Sequence, residues 1–68
     1  MQDKFDFPQN DVDTAFQYLK EYLALEGFDW NEIEKDSALM VLAKTRINEM
    51  STPRRIGKNI ISVLKNNL

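Results

Sequence analysis

The chain of 68 residues has no cysteine and no histidine. The first absence excludes disulfides, thiolate metal sites and a cysteine nucleophile. The second removes the commonest general base and the commonest metal ligand. Glycine and proline occur only twice each, too sparsely for a disordered or loop-rich chain. No apolar run approaches the roughly 18 residues that a membrane helix needs. The start, "MQDKFDFPQND", lacks the basic region and apolar core of a signal peptide. A cytoplasmic protein with no membrane contact is therefore expected. β-branched residues never alternate over a run, and no Asn-Gly or Asp-Gly hairpin signal occurs, so no strand is expected.

What is present is helical spacing among the 43% hydrophobic residues. The pattern predicts an all-α, compact three-helix domain, with helices at about 11–26, 30–49 and 53–66 behind a short N-terminal arm, 1–9. In the arm, Phe5 and Phe7 flank Asp6 before Pro8 interrupts regular structure. The two rings either fold back over the core or are offered to a partner. Asn10 or Asp11 is placed to cap the first helix. Val12, Phe16, Leu19 and Leu23 form its buried stripe. Tyr18, Tyr22 and Leu25 widen that apolar surface toward the last helix or a second subunit. Gly27 is the expected C-terminal cap.

"DWNE" has the form of a capping box, with Asp29 at the N-cap and Glu32 three residues on. The second helix either runs through to Asn48 or breaks near Asp36–Ser37. Its centre, "ALMVLA" at 38–43, is apolar on every side, which predicts a helix buried between its neighbours. Met40 and Met50 read as core gap-fillers. The third helix starts with Thr52 as N-cap, or Ser51 as the alternative, and Pro53 at the first helical position, where its missing N–H costs nothing. A domain this small buries only about 60% of its unfolded surface, so self-association as a homodimer is expected.

Charge is divided along the chain. Residues 1–36 carry ten acids against three lysines, a net of −7. Residues 37–68 carry six bases against Glu49 alone, a net of +5. No acid occurs in residues 50–68. In the third helix, Ile56, Ile60, Val63, Leu64 and Leu68 share one arc, with Ile61 at its edge. Gly57 falls inside the arc, where it permits close approach of another helix. Arg54, Lys58 and Lys65 occupy the opposite face, with Arg55 beside them. First-turn arginines oppose the helix dipole, so something must compensate them. Either they pair with the protein's own acidic half, or they meet an external anion.

Two functions follow, and neither is enzymatic. In the first, the protein is a small nucleic-acid-binding regulator, resembling a helix-turn-helix in its spacing although the usual turn glycine is missing from "NEMST". Arg54, Arg55, Lys58, Asn59, Ser62 and Lys65 are then the contact residues. In the second, it is a protein-interaction adaptor or inhibitor that docks a basic surface through Asp11, Asp13, Glu21, Asp29, Glu32 and Asp36. No cofactor is expected. The two aspartates of "DVDTAFQYLKEY" lack the glycine and glutamate of a calcium loop. The carboxylates at 29, 32, 34 and 36 read as solvated caps rather than a metal site. The run "STPRRIGKNIISVL" resembles the Pro-Arg-x-Ile helix start of a small archaeal helical family with no known activity. The resemblance spans about a fifth of the chain, and no residue role is carried over from it.

Overall fold

The computed structural model describes residues 4–66. A 3-10 turn, Lys4–Asp6, leads into α1 (Val12–Leu25), α2 (Trp30–Ile33), α3 (Ser37–Asn48) and α4 (Pro53–Asn66). Among the described residues there is no strand. No helix is long and apolar enough to cross a membrane. The Cα radius of gyration, 11.0 Å, equals the roughly 11 Å expected of one compact domain of this length.

Each helix begins where a side chain takes up its first free N–H groups. Asp11 caps α1: its Oδ1 accepts from Asp13 N at 3.3 Å and its Oδ2 from Thr14 Oγ1 at 3.0 Å. Asp29 caps α2 by accepting from Asn31 N at 3.0 Å, while Glu32 turns away to lie 3.8 Å from Lys35 Nζ. Asp36 accepts from Ala38 N and Leu39 N at 3.0 and 3.4 Å and starts α3 afresh. The expected second helix is therefore two helices. Its backbone turns out at Glu34 and Lys35, because Asp36, in extended conformation, supplies the acceptor that lets α3 restart. Thr52 caps α4, its Oγ1 accepting from Arg55 N at 3.3 Å.

α1 and α3 end in the same way. Gly27 N donates to Ala24 O at 3.1 Å and Phe28 N to Leu23 O at 2.9 Å. Met50 N donates to Ile47 O at 3.0 Å and Ser51 N to Arg46 O at 2.9 Å. Both are Schellman turns, which require a left-handed residue just past the cap. Gly27 meets that requirement at φ 89°, and Met50 at φ 65°. The α3–α4 turn thus forms without the glycine its geometry favours. Met50 is not a core gap-filler: its side chain is 54% exposed.

The core comprises Phe5, Ala15, Leu19, Tyr22, Leu23, Ile33, Leu39, Ala43, Ile47, Ile56 and Ile60. α1 packs directly on α4, and α3 packs on both. α3 is buried along one stripe only, Leu39, Ala43 and Ile47. Val41 is 62% exposed, contrary to the expectation of a helix covered on all sides. Three mutually touching helices each keep an outward face, so an all-round apolar sequence leaves some of its side chains in solvent. α4 buries Pro53, Ile56, Gly57 and Ile60, while Val63 lies at the solvent edge. Leu68 lies outside the described residues.

The α1–α4 contact centres on Gly57. A Cβ there would lie 2.3 Å from Tyr22 Cδ2 and 2.5 Å from Cε2. Tyr22 is itself buried, and its ring packs edge-on against Phe5 at 5.5 Å. The two turn positions and this contact predict opposite responses to glycine. Gly57→Ala is expected to destabilise by about 1 kcal/mol or more, since overpacking outweighs the better helix propensity of alanine. Met50→Gly is expected to stabilise by about 0.5–1 kcal/mol, because it relieves the left-handed strain. Thermal unfolding reads both, at roughly 4–8 °C per kcal/mol for a domain of this size.

Candidate functional site

The N-terminal turn is a clasp across α1 and α4. Phe5 inserts between Tyr18 and Tyr22, with ring centroids 6.4 and 5.5 Å away. On one side Lys4 Nζ lies 2.8 Å from Glu21 Oε1. On the other, Arg54 Nε lies 2.7 Å from Asp6 Oδ1, and the guanidinium sits 5.8 Å from the Tyr22 ring centroid. Phe7 remains 46% exposed, so only the first of the two arm rings folds back. The surplus apolar surface of α1 is thereby mostly covered from within the chain: Tyr22 is buried and Tyr18 half-buried, while Leu25 stays 77% exposed.

This clasp separates the two first-turn arginines. Arg54 pairs with the arm, at Asp6, rather than with α1 or the turn after it. Arg55 makes no such pair and reaches a second cleft that Arg54 does not line. With Lys58, Asn59, Arg46 and Ser51 it lines a cleft of about 410 Å³. Arg55 and Lys58 make no ion pair with any described carboxylate. A neighbouring polar cleft is lined by Asp6, Glu49, Met50, Ser51, Thr52, Arg54, Arg55 and Lys58. The corner between α3 and α4 thus gathers four cations around two carboxylates. Arg46 and Ser51 were not among the expected contact residues. Arg46 stands in the last turn of α3, where Nη1 reaches Glu49 Oε1 at 2.9 Å. Its Nε is enclosed and finds no acceptor among the described residues, so that pair leaves the guanidinium incompletely satisfied. Its place four residues before a left-handed turn was the available signal, legible only once Met50 is known to be that turn. Ser62 and Lys65 are exposed farther along α4 and do not line the corner.

The six candidate acids do not form one surface. Asp11 is occupied in capping α1, and Glu21 in holding Lys4. Asp13 borders a shallow cleft with Phe16, Gln17, Lys20 and Trp30. Asp29, Glu32 and Asp36 do converge, around an apolar cleft of about 340 Å³ floored by Phe28, Ile33, Leu39 and Leu64. Among the described residues no three acidic side chains converge closely enough to hold a metal ion.

Comparison with models of protein families, with curated proteins and with solved structures gave no significant match to this chain.

The clasp makes a test of its own forces. Phe5→Ala is expected to cost about 2 kcal/mol or more through lost burial. Asp6→Asn should cost only about 0.2–1 kcal/mol, since the pair is part exposed, and less still in high salt. Urea unfolding of both variants at low and high salt measures the order; the reverse order would mean that charge, not the ring, holds the arm.

Proposed function

We propose that this protein is a small nucleic-acid-binding regulator that contacts phosphates through the corner between α3 and α4. The observation that carries this reading is the convergence of Arg55 and Lys58, free of carboxylate partners among the described residues, with Arg46, Ser51 and Asn59 on one cleft. Guanidinium and ammonium groups with hydroxyl and amide donors are the chemistry that phosphate oxygens require. Arg55 and Lys58 are the exposed cations at the start of α4, whose other first-turn side chains, Pro53 and Ile56, are buried. Lys58 and Lys65 lie two turns apart on one face, so Lys65 extends the contact along the strand. Ser62 supplies a further hydroxyl between them. A homodimer would present two such corners, and the exposed Leu25 and Val41 supply apolar surface for self-association.

Arg54 has a different part in this reading. Held by Asp6 and stacked near Tyr22, it orders the arm beside the cleft and contributes less to phosphate binding than Arg55. Because the whole chain is acidic, with a net charge of −2, the contact is local and salt-sensitive rather than a general attraction to polyanions.

Titration of a fluorescent duplex by anisotropy tests the proposal. With Arg55, Lys58 and Lys65 at phosphates, log affinity should fall against log salt with a slope of about −3. Arg55→Ala with Lys58→Ala should remove most of the binding and lower that slope by about 2. Arg54→Ala should weaken binding less than Arg55→Ala. Absence of binding at low salt, or binding insensitive to Arg55 and Lys58, would overturn the reading.

A further inference from the structure

The apolar cleft remote from the basic corner has no part in that function. It opens where the turn after α1 meets α2, the start of α3 and the end of α4. Its floor is the edge of the core itself. Ile33 and Leu39 are each only 3% exposed and are joined by half-buried Phe28 and Leu64. Gly27 forms part of the wall, and a Cβ there would meet nothing within 4 Å. The cleft, at about 340 Å³, is at the small end of ligand sites and takes one or two large apolar side chains.

The rim is of one sign. Asp29, Glu32 and Asp36 stand on it, and no cation lines the cleft. Two of these carboxylates are fixed in place by their capping bonds. Asp29 and Asp36 each use Oδ1 as the acceptor for a helix N-terminus, and the second oxygen of each takes no part in that cap. Glu32 meets Lys35 Nζ only at 3.8 Å, with both side chains more than 70% exposed. Such a pair contributes little and yields readily to a better one.

An apolar slot bordered by three carboxylates and no cation selects against anionic lipid and nucleic acid, and favours an apolar side chain flanked by cations. We propose that this cleft docks a basic amphipathic segment of a partner protein, with a bulky apolar side chain seated on Ile33, Leu39 and Leu64 and Lys or Arg groups on Asp29, Glu32 and Asp36. The interaction is a helix-in-groove contact whose specificity lies in the charged rim. It is independent of the nucleic-acid reading, because the basic corner lines other clefts with none of these residues.

Isotope-labelled protein titrated with a synthetic Leu/Lys amphipathic helical peptide tests it by amide chemical shifts. Shifts should concentrate at Gly27, Phe28, Ile33, Leu39 and Leu64. A scrambled peptide of the same composition, without a continuous apolar face, should bind at least about tenfold more weakly. Asp29→Asn, Glu32→Gln and Asp36→Asn combined should weaken binding by about tenfold or more, since asparagine keeps both helix caps while the charge is lost. A circular dichroism melt of that variant verifies that the fold is retained. Equal binding of the scrambled peptide, shifts spread over the acidic surface, or an unaffected folded variant would each overturn the proposal. So would the same shifts appearing with protein concentration alone, which would identify the occupant as a second copy of this chain.

Discussion

Tyr22 lays its ring over the one position of α4 that has no side chain, and most of the molecule is arranged around that contact. Gly57 lets the α1 and α4 backbones approach closely enough for Leu19, Leu23, Ile56 and Ile60 to be fully enclosed. The outer edge of the same ring is then available to Phe5, and its face to Arg54. One missing methyl group on α4 therefore sets the main helix pair, the seat of the N-terminal turn and the direction of one arginine. A glycine in a helix interior costs about 1 kcal/mol relative to alanine. Here the burial of a tyrosine and four aliphatic side chains offsets that cost.

The charges arrange themselves as a consequence. Once Phe5 is seated, Lys4 is carried to Glu21 and Asp6 to Arg54, and the second of these pairs joins the acidic half to the basic one. That neutralises one of the two first-turn arginines and leaves the other. The carboxylates that start α1, α2 and α3 are spent partly on backbone N–H groups, which is where negative charge is most favourable on a helix. What remains after these local pairings is two separated polar regions. One is cationic at the α3–α4 corner and the other anionic around an apolar cleft at the opposite end of α4. The proposed binding properties follow from that separation, not from the net charge of −2.

Much of this was legible in the residues. Asp11 and Asp29 stood among the readable helix starts, because a short acceptor side chain in extended backbone is what the first free N–H groups need, whereas Asp36 left a continuous helix and a restart equally open. Thr52-Pro53 marks the start of α4 for the same reason, and Gly27 the end of α1. The position of Gly57 within an apolar arc announced a close helix contact. The turn at Met50 was hidden, since a methionine gives no sign of a left-handed backbone, and the α3–α4 corner was correspondingly underestimated. The all-round apolar centre of α3 was misleading: Val41 is exposed because a domain of three long helices leaves no helix enclosed on every side.

The sequence alone determined that the protein is helical, where the first and last long helices begin, and which face of the last one turns inward. These are properties of neighbouring residues, set by capping chemistry and by the 100° periodicity of side chains. Only the tertiary structure decided which charges are paired. Asp6 and Arg54 are 48 residues apart, and local spacing does not say which of the two arginines a distant acid meets. They differ because α4 lies against α1 on one side only, so two adjacent arginines separated by about 100° around the helix reach different surroundings. Both border the polar cleft beside the arm, but only Arg54 is held by Asp6, and only Arg55 reaches the further cleft with Arg46 and Asn59.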